Sequence, residues 1–446
     1  MRADLRSLDG FGDRLQEALV TLKETPYWWD TALDLPSYAD RPLPPKVDVA
    51  VIGGGYTGLS AALRLAKSGA AVAVLDKETI GWGASSRNGG QVLSGLKLGV
   101  ETLVSRYGLA AARQLYAASR ASIAFVEELL AAEQIDCEYV RCGNLYAASK
   151  PKHFDDCKRT ADVLARDFDE QHELVPRSEQ RREIGSDAYF GLMVEPYNAS
   201  LHPARFVRGL ARAAERAGAA LFDKAAVRAI ERRTAGFRLK TGRGSIEAKE
   251  VFAGTNGYTD AAVPELRKRV APIGSYIIAT EQLDQIVAAR LLPNRRVVSD
   301  SKQFLHYYRL SPDNRLLFGG RAAFMPPTAD SNRRSAEILR RDMLQVFPEL
   351  GGVRVEYVWS GNVCFTRDLL PHAGRFDSGI YFAAGYGGHG VAMAAYLGAA
   401  MADVILGRDD RNPFREYRFS AFPLYAGRPW FLPLAALWFK FLDRVR

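Results

Sequence analysis

The 446-residue chain has little of what marks secreted, membrane-spanning or metal-built proteins. Its four cysteines are too few for a disulfide framework at this length. No window is long and apolar enough to span a bilayer. Met1 to Glu24 lacks an apolar core segment and a small-residue cleavage site, so no signal peptide is expected. The expected compartment is the cytoplasm, with a peripheral place at the inner face of the membrane as the variant. Cys137, Cys142, His153 and Cys157 loosely resemble zinc-ligand spacing. However, Cys137 to Ala148 reads as a strand, on which side chains five apart point to opposite faces, so no metal is expected. The net charge of +9 is spread along the sequence, and Arg-rich patches such as Arg177–Arg182 also contain acids. No nucleic-acid motif accompanies the charge, which therefore reads as a solvated basic surface. Such a surface still favours an anionic substrate or a membrane surface. With 48% hydrophobic and 25% charged residues, the chain is an ordinary globular one, long enough for two domains.

The most informative stretch is Lys46 to Gly58. Lys46-Val-Asp-Val-Ala-Val-Ile52 is rich in β-branched residues, as expected of a parallel strand buried on both faces. Gly53, Gly55 and Gly58 then occupy the glycine positions of G-x-G-x-x-G, with Tyr56 and Thr57 between the last two. Thr57 to Ser68 reads as a helix, and the strand Ala71–Asp76 ends on an acid followed by Lys77. Gly53 permits the tight turn, Gly55 lets backbone approach a pyrophosphate, and Gly58 lets helix and strand pack closely. The helix N-terminus offers N–H groups to phosphates, and Asp76 can accept ribose hydroxyls. A lone glycine motif is weak, but strand before, helix after and acid in place make this a dinucleotide site.

Residues 1–45 form a lead-in in which Pro26-Tyr-Trp-Trp29 reads as packed on the body, with cover for a substrate mouth as the alternative. The spans 46–134, 201–260 and 359–407 read as one discontinuous dinucleotide domain, because strand, glycine loop and helix occur at both ends of the sequence. The spans 135–200 and 261–358 read as an inserted substrate domain, with an antiparallel sheet from Pro272 to Tyr357 and a helix over Ser335–Phe347. Residues 408–446 form a tail. The fold expected is thus α/β, α+β overall: a Rossmann-type domain carrying a mainly antiparallel second sheet.

Three separated motifs give the chain a specific resemblance. They are Val51–Gly58, the loop Gly83-Ala-Ser-Ser-Arg-Asn-Gly-Gly-Gln91, and Ala383-Ala-Gly-Tyr-Gly-Gly-His-Gly390. From about Val47 to Gly407 the sequence resembles the D-amino-acid oxidase–like family of FAD oxidoreductases, which includes sarcosine oxidase, glycine oxidase and γ-glutamylputrescine oxidoreductase. The Arg-Asn-Gly-Gly loop resembles the last of these. The resemblance implies FAD, held on its ADP half by the first glycine motif and Asp76. It places Val227 at the adenine, and Thr255 and Gly257 beside the pyrophosphate. It runs Gly83, Ala84, Ser85, Ser86, Arg87, Asn88, Gly89, Gly90 and Gln91 along the flavin. It sets Gly385, Gly387, Gly388, His389 and Gly390 near the flavin's pyrimidine edge, where a helix N-terminus stabilises negative charge.

The implied reaction is hydride transfer from the carbon next to a neutral amine to flavin N5, followed by imine hydrolysis. No triad is expected. Tyr276, His306, Tyr308 and Arg321 are candidates to face the flavin and position substrate, although aromatics there are equally often core. Arg321 could clamp a carboxylate or make an ordinary ion pair. Trp359 would wall the site, and His389 would position or tune the flavin. Cys364 stands where sarcosine oxidases attach FAD through sulfur, against the plainer reading of a small buried hydrophobe. Arg315–Arg321 lacks the lysine that sarcosine oxidases carry over the flavin, which leaves oxygen, a quinone or another acceptor open. The apolar tail Pro429–Leu442 reads as a helix packed on the body, or as a membrane-interface segment. Two other readings stand beside amine oxidation: a flavin-linked 2-hydroxy-acid or glycerol-3-phosphate-type dehydrogenase, which needs a base such as His389, and a non-catalytic dinucleotide-binding or membrane-associated module.

Overall fold

The strand Lys46–Ile52 sits centrally in an eight-stranded sheet and shows why that sheet forms. Its Val49 and Val51 join one hydrophobic cluster, while Ala50 and Ile52 join another on the opposite face. Val72 and Val74 of the next strand follow the first group, Ala73 and Leu75 the second. Alternate side chains of β-branched runs thus bury both faces. The computed structural model describes residues 22–323, 329–408, 412–425 and 427, with the side chains of 321–323 and 329 outside that description.

In this first sheet the order is His372–Arg375, Tyr381–Ala384, Gly244–Ala253, Lys46–Ile52, Val72–Leu75 and Ala220–Phe222, with the hairpin Val227–Arg233 and Gly236–Thr241 attached to Gly244–Ala253. Pairing is parallel from Tyr381–Ala384 through to Ala220–Phe222. One face carries the helices Tyr56–Lys67 and Gly390–Ile405, locked together where Ser60 Oγ donates to the Ala395 carbonyl at 2.7 Å.

A second sheet, also of eight strands, runs Val355–Phe365, Ala271–Thr280, Leu316–Ala323, Tyr307–Leu310, Val297–Asp300, Asn144–Ala147, Gly191–Glu195 and Glu173–Pro176. Its pairs are antiparallel except Val297–Asp300 with Asn144–Ala147. The α/β architecture with a mainly antiparallel second sheet is the one expected. Three details differ. The strand expected over Cys137–Ala148 is confined to Asn144–Ala147, because Gly143 takes φ +77 and breaks the run. The helix expected from Ser335 begins at Ala329. The strand Val355–Phe365 continues unbroken across the boundary expected at 358/359. Tyr27–Asp30 is a short helix whose Trp28 is fully buried, so the lead-in packs on the body. The tail Pro429–Leu442 lies outside the described residues. No described helix is long and apolar enough to cross a membrane, and no described group of three or more His, Cys, Asp or Glu is placed to hold a metal.

Candidate active site

The two sheets meet around a cavity of about 1080 Å³, at the upper end of ligand pockets and roomy enough for a dinucleotide with a small substrate. Its first wall is the turn after Lys46–Ile52. Gly53 has φ +98, and a Cβ on Gly58 would stand 1.9 Å from the Gly53 carbonyl oxygen. A Cβ on Gly55 would come 2.8 Å from Ser85 Oγ. Asp76 closes this end: Oδ2 accepts the Gly54 N–H at 2.7 Å and Oδ1 the Glu78 N–H at 2.8 Å. Burial raises the Asp76 carboxyl above its ordinary value, against the pull of those two N–H groups. The carboxylate therefore shapes the turn itself and keeps lone pairs for a ligand hydroxyl.

The loop Gly83–Gln91 forms the second wall and is held from every side. Ser85 Oγ accepts the Tyr56 N–H at 2.9 Å, tying the loop to the helix N-terminus. Asn88 folds the loop on itself, donating to Ala84 O and accepting from Gly90 N. The Arg87 guanidinium lies between the rings of Trp29 and Trp82, 4.7 and 4.2 Å from their centroids. It donates to the carbonyls of Trp82 and Ser360, and burial lowers its pKa. Three tryptophans donate ring N–H bonds to the loop: Trp28 to Asn88 O, Trp29 to Ser86 Oγ and Trp359 to Arg87 O. Arg309, 4% exposed, donates to the Gly90 and Leu201 carbonyls at 3.0 and 2.8 Å.

The third wall is the late glycine loop. Gly385, Gly387 and Gly388 all have positive φ, and His389 caps the helix Gly390–Ile405. His389 Nδ1 is buried without a hydrogen-bond partner among the described residues. Burial and the nearby Lys97 charge push the His389 pKa down to about 4, so its ring is neutral at pH 7.

This arrangement of glycine turns around one cavity has close parallels. A family model described as FAD dependent oxidoreductase (DAO) matches residues 48–404. The chain belongs to this family. It is 35% identical over 403 residues to the gamma-glutamylputrescine oxidoreductase of Escherichia coli (strain K12), covering 89% of this chain and 93% of that one. It is 26% identical over 369 residues to the glycine oxidase of Geobacillus kaustophilus, covering 81% and 93%. The crystal structure of glycine oxidase from Geobacillus kaustophilus shares the fold, with a TM-score of 0.70, 24% identity and coverage of 86% of this chain and 100% of that one.

As a member of the FAD-dependent oxidoreductase family the chain is an enzyme that uses FAD, and the residues present fit that cofactor. The cavity runs from Asp76, Lys77 and Val227 past Gly53, Gly55, Tyr56, Thr57 and Thr255 to Arg87, Asn88, Gly89 and Gln91, and on to Gly387, Gly388, His389 and Gly390. Gly83, Ala84, Ser85 and Cys364 also line it. Nothing lies within 4 Å of where a Gly388 Cβ would stand, so its φ of +102 turns bare backbone toward the cavity. Five residues expected at the cofactor stand behind the wall instead. Gly58 packs on Gly53; Ser86 donates to Gly81 O; Gly90 lies under Leu201 O and Arg309; Gly257 abuts Asn362 and Cys364; Gly385 N donates to Asn256 Oδ1.

Four substrate candidates are not in the cavity wall, and each has a partner elsewhere. Tyr276 is fully buried on the far face of its strand, its hydroxyl 3.1 Å from Ser331 Oγ. Tyr308 stacks on Phe318 and donates to Tyr189 OH at 2.8 Å. His306 lies between Asp300 and Asp342, at 3.1 and 3.4 Å. Trp359 is buried behind the loop Gly83–Gln91, which it holds through Arg87 O. Arg321 belongs to the strand Leu316–Ala323, but its side chain is outside the described residues. In place of these, Ser275 and Tyr307 line the cavity, hydrogen-bonded at 2.9 Å, with the Tyr307 ring packed beside Gly89. Lys97 and Glu195 also line it, and no sequence pattern pointed to either.

Burial pushes the Cys364 thiol up to about 12, so little thiolate exists at neutral pH to attack a flavin. Acid precipitation of the yellow protein is therefore expected to leave the flavin in the supernatant. Colour retained in the washed pellet, and lost from it in Cys364→Ser, would show the covalent link instead.

Proposed function

We propose that the enzyme oxidises an amine or amino acid at the C–N bond, with a γ-glutamylputrescine-like amine as the favoured substrate class. The observation that carries this reading is the state of His389, the only histidine among the described residues of the cavity wall. With a pKa near 4 it is a weak base at neutral pH. An alcohol carbon has to lose its hydroxyl proton as it is oxidised and would need such a base. A neutral amine already has the lone pair that drives loss of its α-hydrogen. The likeness to gamma-glutamylputrescine oxidoreductase over most of both chains supports the same class.

When bound, FAD supplies the two-electron acceptor. This chain's residues do the rest. Arg87, Asn88 and Gln91 form a loop clamped by tryptophans, a rigid base against which a C–H bond can be aligned. The N-terminus of Gly390–Ile405 directs backbone N–H groups toward the same cavity, favourable for negative charge that develops there. Ser275 and Tyr307 offer hydroxyls to orient substrate.

Anaerobic mixing of the yellow holoenzyme with matched amines, amino acids and hydroxy acids tests the reading. Flavin absorbance is expected to bleach with amines, γ-glutamylated ones included, and to persist with hydroxy acids. Bleaching by hydroxy acids alone would overturn it. Re-oxidation of the bleached enzyme by oxygen or by a quinone then identifies the acceptor.

A further inference from the structure

Besides Gln91 and Lys97, the same cavity is lined by Tyr116, Tyr146, Met193 and Glu195. Glu195 ends its strand opposite Asn144. Its Oε2 accepts Asn144 Nδ2 at 2.5 Å and Asn198 Nδ2 at 3.0 Å. The orientation of Asn198 is fixed from behind, since its Oδ1 accepts the Ser94 N–H at 2.7 Å. Two amides thus aim one carboxylate, and its Oε1 takes no hydrogen bond among the described residues.

The other deeply buried glutamates are paired: Glu183 with Arg296 at 2.9 Å, Glu170 with Arg120 at 2.7 Å. Glu195 has no cationic partner among the described residues. Burying a carboxylate without one is costly. A group built to this pattern and open to a cavity is complementary to a cation brought by the ligand.

We propose that Glu195 is the anchor of a second substrate subsite, which holds a protonated amino group remote from the carbon being oxidised. The inference rests on the amine reading and deepens it: the preferred substrates carry two amino groups, as a diamine or an amine bearing an α-amino-acid head does. Burial pushes the Glu195 carboxyl up to about 7, and a bound ammonium would draw it down again. Tyr116, Tyr146 and Cys157, the titratable groups that sense its charge, supply no competing cation. Glu195 acts in this scheme as a positioning residue.

The test compares wild type, Glu195→Gln and Glu195→Asp as holoenzymes, by anaerobic flavin bleaching. The substrates are an alkylamine, the diamine of equal length and its γ-glutamylated derivative. Glu195→Gln keeps an oxygen for both asparagine amides, and bound flavin content checks that the fold survives. Half-saturation by the substrates with two amino groups is expected to rise about 30-fold in Glu195→Gln, the size of a lost charge-assisted hydrogen bond. The alkylamine should shift less than about threefold, within the scatter of a neutral change. The limiting bleaching rate should hold, and Glu195→Asp should regain part of the preference. A shift confined to the diamine assigns the site to a free ammonium end; one confined to the γ-glutamylated amine assigns it to the α-amino head. An unchanged ratio between substrates would overturn the subsite while leaving the amine reading intact. A fall in limiting rate for every amine would overturn it too, since Glu195 would then act at the reacting nitrogen. Wild-type flavin bleached by no amine would remove both inferences together.

Discussion

Gly58→Val is expected to give a protein that purifies without colour and binds added FAD at least about 100-fold more weakly, a loss of about 2.7 kcal/mol. The cause is distance. A Cβ at Gly58 would stand 1.9 Å from the Gly53 carbonyl oxygen and 3.1 Å from Val51. Neither neighbour is the far end of a flexible chain. Nor can the helix retreat, because on its other side a Gly398 Cβ would already stand 2.2 Å from Thr57 O. The helix Tyr56–Lys67 is pressed between a strand and a second helix by glycines on both faces. Overpacking of this kind costs about 1–3 kcal/mol even where atoms can shift. Here the displacement also swings the helix N-terminus away from the cavity. Gly351→Ala is the control: nothing lies within 4 Å of its Cβ position, and its melting temperature should stay at the wild-type value. Absorbance of the purified proteins and calorimetry read both effects.

Arg309→Met is expected to lower FAD affinity about tenfold and stability by about 2 kcal/mol. Arg309 is buried, and no carboxylate pairs with it among the described residues; burial pushes its pKa down to about 10, leaving it charged at pH 7. Its partners are the carbonyls of Gly90, Leu201 and Leu310. Removing the guanidinium takes one donor from each of these carbonyls, at about 1–3 kcal/mol for a group left unsatisfied; Gly90 O keeps the Leu201 N–H at 2.9 Å, and the loss is offset further because a buried charge disappears. The effect should concentrate on the loop Gly83–Gln91, since Gly90 at φ +71 has its carbonyl held from this side. Faster proteolysis within Arg87–Gln91 would locate it there. Equal loosening throughout the chain would show that Arg309 serves the core at large. Arg309→Lys keeps the charge without the planar fork and should fall between.

The dinucleotide half of the fold was legible because its signals are local. A β-branched run, three glycines and an acid at a set interval each have one physical job: the structure brings Gly53, Gly55 and Asp76 to one cavity and packs Gly58 behind them. The substrate side was not, and its errors follow the geometry of strands. Tyr308 and Tyr276 were named where Tyr307 and Ser275 line the wall. On a strand one residue decides the face, and an aromatic reads the same whether it points into a core or into a cavity. Trp359 was assigned to the wall because nothing in Trp359–Cys364 tells that its ring N–H reaches back to Arg87 O. Glu195 had no local signature at all. Its meaning comes from Asn144 and Asn198 aiming it and from an absent cation, both visible only in three dimensions.

The tryptophan clamp on the loop Gly83–Gln91 ties an early stretch of the chain to one made much later. Trp28 and Trp29 can seat only when the lead-in docks, and it docks on the strand Val355–Phe365: Lys23 N donates to Glu356 O, and Val358 N donates to Lys23 O. More than 300 residues separate these partners, so a growing chain has its first glycine turn and its loop long before it has the strand that latches them. Long-range closures of this kind come late in folding. The late glycine loop and the helix Gly390–Ile405 follow that strand in the chain, so the latch and the last wall of the cofactor's seat are completed together, after most of the protein has been made.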